Sequence, residues 1–254
     1  MTSTRRHGFD FTALNHYGYP VVPIIPPDAK LSPASTIKPT EKGKIPGRLN
    51  GNGEWAGFDW LSHIPGKHEL ERWRNDGAGV GIRTGALIAI DIDVTDEEAS
   101  GWVLDTAVRE LGEAPHRIGK WPKRLLVYRL AEGEATVSWR KLRFRLDGRE
   151  HLIEIRGEGQ QFVAYGIHPG TRRPYVWTDE GDFRGEPMDT PASELSEITR
   201  EQLDTFIRQV AATLEFLGAE ALDEGRGMKT TDDRASVSQA RLAATDMDAL
   251  AELM

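Results

Sequence analysis

Two aspartates, Asp91 and Asp93, end the otherwise apolar run ALIAIDID at residues 86–93. In a strand, positions i and i+2 point to one face with α-carbons roughly 6.5 Å apart, so both carboxylates leave the sheet together. Leu87, Ile88, Ala89, Ile90 and Ile92 supply the buried surface that anchors the segment. Paired negative charge is costly without a partner, and a cation is the natural missing component. Alone, an Asp-x-Asp at a strand end is more often turn or capping chemistry than a metal site. A third acid shifts that balance. In HLIEIRG, Glu154 alternates with Ile153 and Ile155 and shares a face with Arg156, so a second strand also presents a carboxylate. Three carboxylates on two strands suit a hard divalent cation, Mg²⁺ or Mn²⁺, which prefers oxygen ligands. Arg156 has two readings beside them: a cation for phosphate, or a structural partner of Glu154.

These side chains must be positioned by elements that the residue pattern predicts. GVGIRTGALIAIDID reads as a strand with a Gly turn, and GKHELERWRNDG before it as a short helix. TDEEASGWVLDTAVRELG opens with Thr95 and carries Glu98 three residues later, a capping box, with Ala99, Val103, Ala107 and Leu111 on one helical stripe. The aspartates therefore end a strand that feeds a helix N-terminus. KRLLVYRL, HLIEIRG, QQFVAYG and YVWT are short β-type runs. YGYPVVPIIPP reads as a strand entering a long surface loop rich in Pro, Gly and Lys. Thr199 with Gln202 forms a second capping box, followed by Leu203, Phe206, Val210, Leu214 and Leu217 at helical spacing. Strand, helix, then several strands predict an α+β fold with helices packed on a mostly antiparallel sheet. Residues after Asp223 read as a polar linker, and MDALAELM begins an amphipathic pattern that stops without a cap, as if cut from something longer.

The 254 residues suffice for a sizeable core, and with no cysteine any metal must be held by carboxylates or histidines. The absence of disulfides suits a reducing cytoplasm, and no stretch approaches the roughly 20 apolar residues of a membrane span. The formal net charge of −8 would argue against a nucleic-acid partner if it were evenly spread. It is not. From Arg117 to Arg149 there are ten Lys or Arg against three acids, a local +7, whereas from Thr178 onward eighteen acids face seven basic residues. A lone basic cluster is usually a solvated face, but this one closely follows the paired aspartates.

The order GKIPGR, GVGIRTG…IAIDID, PHRIGKWPKRLLVYR and EIRGEGQQFVAYGIHPGTRRPYVW, from about Tyr17 to Trp177, resembles the bifunctional DNA primase/polymerase domain of the archaeo-eukaryotic primase superfamily. In flavour it is nearest to versions carried by phages and other mobile elements. The resemblance implies an RRM-like catalytic core with an acid-x-acid motif, a basic or histidine motif and a third acid. These correspond here to Asp91 and Asp93, to the neighbourhood of Lys123 and Arg124, and to Glu154. Many relatives place a histidine just before the second-motif strand, where this chain has Leu125. Lys123 and Arg124 are candidates to replace its contact with nucleotide, and so is His168 in YGIHPG, which reads equally as a loop histidine bonded to backbone.

What the resemblance implies is template-directed nucleotidyl transfer by a two-metal mechanism, with Asp91, Asp93 and Glu154 as catalytic metal ligands. Lys123, Arg124, Arg156, His168 and Arg83 are the candidate nucleotide-binding residues. Lys120, Trp121, Arg140, Lys141, Arg143 and Arg145 are the candidate nucleic-acid track, with Trp139 and Phe144 as further stacking surfaces. The expected partners are a single-stranded DNA template, a primer, dNTP or NTP, and a helicase domain in the same full-length chain. The expected division is a catalytic domain over 1–190, a C-terminal helical segment over 191–222, and a linker with the start of a further region over 223–254. Two rivals use the same residues: a metal-dependent nuclease or phosphodiesterase, and a non-catalytic single-strand-binding replication module.

Overall fold

The computed structural model describes residues 9–178 and 185–222; the linker and closing amphipathic pattern expected at 223–254 lie outside the described residues. Chain order runs α1 (Phe11–His16), β1 (Val21–Ile24), β2 (Arg48–Leu49), β3 (Trp55–Ala56), α2 (Lys67–Asn75), β4 (Gly79–Arg83), β5 (Leu87–Asp93), α3 (Glu97–Leu111) and β6 (His116–Ile118). It continues through β7 (Arg124–Leu130), β8 (Arg140–Leu146), β9 (Arg149–Arg156), β10 (Gln161–Tyr165), β11 (Val176–Thr178), β12 (Glu197–Ile198), α4 (Arg200–Phe216) and β13 (Glu220–Leu222). The architecture is mixed α+β, with a large and mostly antiparallel sheet, as the residue pattern predicts.

That sheet has the order β11-β6-β7-β5-β9-β8-β13, with β12 alongside β7 in the one parallel pairing among the described strands. The acid-bearing β5 is central, flanked by β7 and β9. Alternation along it feeds two cores. Ile88, Ile90 and Ile92 face α3 and α4 together with Leu126, Tyr128, Ile153 and Ile155. Leu87 and Ala89 face the other way and meet Val80, Ile82, Phe162 and Ala164 of a three-stranded sheet, β1-β4-β10, under which α1 and α2 also pack. The small sheet covers the start of β5 on that side. Asp91 and Asp93 follow where the cover ends, with side chains 25% and 46% exposed.

The helix caps differ in part from expectation. α4 has the capping box of Thr199 and Gln202, and it buries Leu203, Phe206, Val210 and Leu214, with Leu217 half-buried at its end. α3 buries the expected Ala99, Val103, Ala107 and Leu111, but Asp96 rather than Thr95 caps it, its carboxylate accepting from the Ala99 amide at 2.8 Å. Aspartate is among the strongest N-cap acceptors and adds favourable charge at the helix dipole. The Thr95 amide instead donates to His151 Nδ1 at 3.3 Å. The basic stretch at 140–146 is itself a strand, β8, joined to β9 by an Asp147-Gly148 turn with both residues at positive φ. Asp-Gly is the usual signature of such a two-residue hairpin turn.

Candidate active site

Cross-strand register builds the site. Asp91 is paired on one side with Leu125 and on the other with Glu154; Leu125 is paired with Arg117, and Glu154 with Lys141. Directly paired residues share a face, so Arg117, Leu125, Asp91, Glu154 and Lys141 form one row across five strands. Two cations end the row and two acids hold its centre. Asp93 lies one step further along the same face.

Arg156, two positions after Glu154 on β9, reaches back over both acids. Its Nη2 donates to Asp91 Oδ2 at 2.9 Å and to Glu154 Oε2 at 2.6 Å, and its Nε donates to Asp91 Oδ2 at 3.2 Å. The other Glu154 oxygen accepts from the indole Nε1 of Trp139 at 3.0 Å. Asp93 pairs with Lys123. Among the described residues no three carboxylate or histidine side chains converge into a ready metal cluster, since Asp93 turns to Lys123 while the other two acids turn to Arg156. The donor set nevertheless fits a hard divalent ion. It is all oxygen, it comes from adjacent strands, and a guanidinium nitrogen already sits as a cation shared by two carboxylates.

The other candidates divide. Lys123 lies on the acid face, but Arg124, its neighbour in the chain, points to the opposite one. Arg124 is buried there, its guanidinium 4.5 Å from the Trp121 ring centroid and Nη1 3.5 Å from His116 Nε2. Adjacent strand residues cannot serve one site through the same face, so the structure does not bring Arg124 to the acids. Arg83 is also elsewhere, its Nη1 donating to the carbonyls of Trp60 and Leu61 at 3.3 and 2.6 Å and so fastening that loop.

His168, in the loop after β10, comes near the acid face from the side. Its Nδ1 accepts from the Thr171 amide at 2.9 Å, and Tyr175 stands edge-on to its ring at 5.3 Å. Burial lowers its pKa from the ordinary histidine range, and the nearby cations Lys44, Arg117, Lys120 and Lys123 lower it further. The ring is neutral at neutral pH, and because Nδ1 is an acceptor, the proton sits on Nε2.

On β8, Lys141, Arg143 and Arg145 alternate onto the acid face, whereas Arg140 points the other way and pairs with Asp204 of α4. Arg143 and Arg145 are only loosely held by Glu150, each at 3.5 Å, and Arg145 reaches Glu220 at 3.0 Å. Phe144 is 2% exposed in the core beside His151, which removes it as a stacking surface. Trp121 is 45% exposed in the β6–β7 turn next to Lys120. Trp139 is engaged with Glu154, and Lys141 Nζ lies 4.9 Å from its ring centroid.

Sequence reasoning passed over Arg117, Lys44 and Tyr175. The guanidinium of Arg117 is buried 4.2 Å from the Tyr175 ring centroid, and its Nη1 donates to the Val163 carbonyl of the small sheet. Burial pulls its pKa down, and Tyr175 and Asp91 oppose that shift. It remains charged, as arginine does. Only the local density of basic residues hinted at it. Two concavities, one beside His151 and Asp96 and one of about 770 Å³ lined by His16, Arg129 and Ser193, are not lined by Asp91, Asp93 or Glu154. On the carboxylate row itself the acid side chains are part-exposed, Asp91 at 25% and Glu154 at 14%, while Arg117 and Leu125 are buried.

A family profile described as "Bifunctional DNA primase/polymerase, N-terminal" matches residues 12–196. No curated protein matches the chain. The match spans most of the 254 residues, and the chain belongs to the bifunctional DNA primase/polymerase family.

Proposed function

We propose that this family member is a template-directed nucleotidyltransferase, a DNA primase and DNA polymerase, whose chemistry is carried by Asp91, Asp93 and Glu154. The observation that supports this most directly is the cross-strand row, in which two acids from adjacent strands are bounded by a cationic group on each side. Mg²⁺ or Mn²⁺ held by these carboxylates would supply Lewis-acid neutralisation of the triphosphate and a lowered pKa for the primer 3′-hydroxyl. The chain's own residues do the positioning. Lys123, Arg117, Lys44 and Lys120 surround one flank and neutralise the triphosphate, with His168 donating through Nε2. His168 thus takes over the role for which relatives use a second-motif histidine, which Leu125, 1% exposed and part of the core, cannot fill.

On the other flank, Lys141, Arg143 and Arg145 spread three cations along one face at roughly 6.5 Å intervals, a track for the single-stranded template or primer strand. Trp121 and Lys120 extend the nucleic-acid surface at the β6–β7 turn. By resemblance the enzyme serves replication of a phage or mobile element, with a helicase as its functional companion. No helix among the described residues is long and apolar enough to cross a membrane.

Incubation with a primed template, each nucleotide set and Mg²⁺ or Mn²⁺ tests the reading. Primer lengthening is expected, and Asp91→Asn should reduce it by at least about 100-fold, since a ligand of the reacting ion should matter no less than an outer-shell partner. Primer shortening would mean the nuclease reading. Metal binding with no turnover under any condition would mean a binding module.

A further inference from the structure

Arg156 does more than line the site. One of its nitrogens bridges Asp91 and Glu154, at 2.9 and 2.6 Å, using carboxylate lone pairs that a divalent ion would also need. We infer that Arg156 is an internal counter-ion lock: it ties the two carboxylates together and competes with a divalent ion for Asp91 Oδ2 and Glu154 Oε2. This rests on reading Asp91 and Glu154 as metal ligands.

Four features of the structure support the lock. Register puts the tiny Ala89 opposite Arg156 on β5, so the long side chain can lie along the sheet and reach Asp91 one step away. Trp139 holds the second oxygen of Glu154 from the other side, so this ligand stays oriented when the guanidinium leaves. Arg156 is 24% exposed, so its side chain is only partly enclosed at its seat. Charge supplies the fourth. One guanidinium cancels one of the two carboxylate charges, and bringing a divalent ion against that guanidinium would set like charges side by side. Metal and arginine are therefore alternative occupants. Arg117 is within electrostatic reach of Arg156, so the displaced guanidinium stays on a strongly cationic face, where an incoming triphosphate is its next anionic partner. Trp139 is the positioning residue of this arrangement, and Arg156 its movable one.

The test is Mn²⁺ binding alone, without nucleotide or template, followed by calorimetry and by loss of the free-ion resonance signal, in the full chain. Arg156→Gln should bind Mn²⁺ about tenfold more tightly than the parent, because the competing charged hydrogen bonds are gone. Without metal it should melt at a lower temperature than the parent, and added Mn²⁺ should raise its melting temperature by more. Should that variant fail to fold, Arg156→Lys, which keeps the charge but can satisfy only one acid, should give a smaller gain of the same sign. Unchanged or weaker binding in these variants, with parental binding abolished by Asp91→Asn, would overturn the lock and leave the metal site standing. Parental Mn²⁺ binding that is absent, or indifferent to Asp91→Asn, would overturn the metal reading and the lock with it.

Discussion

Lys123 and Arg124 show how much one step along a strand decides. Lys123 pairs with Asp93 on the open face, while Arg124 packs against Trp121 and His116 on the helix side. Their substitutions should therefore separate. Lys123→Ala should raise the apparent nucleotide KM several-fold with little loss of stability, since its ion pair is partly solvent-exposed and worth at most about 1 kcal/mol. Arg124→Ala should leave KM near the parent's and lower the melting temperature, because it removes a 9% exposed side chain from a packed interface. Steady-state extension kinetics and thermal unfolding, run side by side, would check both. That Asp91 and Asp93 leave one face of β5, and that Glu154 stands opposite Ile153 and Ile155 on β9, was legible from alternation alone. The pairing of Lys123 with Arg124 as joint nucleotide ligands was not a safe reading, since that same alternation sends neighbours to opposite faces. Arg117 was hidden for another reason: its place beside Asp91 depends on the register of β6 with β7 and of β7 with β5, which no local pattern encodes. Nor could sequence tell that Arg156, beyond pairing with Glu154, would also bond Asp91 on the neighbouring strand.

At the scale of elements, β8 carries the proposed nucleic-acid track on one face and a structural ion pair on the other. Single alanine substitutions of Lys141 and Arg143 should each weaken single-stranded DNA binding and reduce the slope of log affinity against log salt by about 0.7–1. Arg140→Ala should leave that slope unchanged and loosen α4, whose Asp204 it holds. Binding titrations over a salt series would separate them. The hairpin is written in the chain, as Asp147-Gly148 between two runs of alternating residues. β6 contributes a pH dependence. His116 is 1% exposed, and its pKa is pushed down to about 4, first by burial and then by the Arg124 charge. Because the folded value is depressed, the unfolded chain binds the extra proton between about pH 6.5 and 4, and stability falls as pH drops through that window. The loss should be on the order of 2–3 kcal/mol, and denaturant titrations at pH 7 and pH 4.5 should show a smaller difference for His116→Gln than for the parent.

At the scale of the whole molecule, the family match ends at residue 196, but the folded unit does not. β12 pairs with β7, β13 with β8, and α4 buries Leu203, Phe206, Val210 and Leu214 against the back of the acid-bearing sheet. Ile198 and these four side chains are each at most 3% exposed. At about 1.5–3 kcal/mol per fully buried large apolar side chain, removing all five forfeits on the order of 10 kcal/mol, comparable to the net stability of a whole domain. A fragment ending at Ser196 should be insoluble or unfolded, whereas one ending at Leu222 should fold and extend primers at the parent's rate; circular dichroism and the extension assay would decide. The α4 stripe and its capping box were readable because both are local. Its attachment to the acid-bearing sheet was not, because a helix face names no partner until the fold brings one.

β5 is gripped from both sides, with Leu87 and Ala89 seated in one core and Ile88, Ile90 and Ile92 in the other. In mechanical terms it is a clamped beam, and the two aspartates stand at its end, where the small sheet no longer covers it but β7 and β9 still hold its backbone. Such a support cannot lean toward a substrate or recoil from a product. Whatever compliance the reaction cycle needs must come from parts that are not clamped: the long side chains that reach over the acids, and the turns that lead into β7 and out of β10.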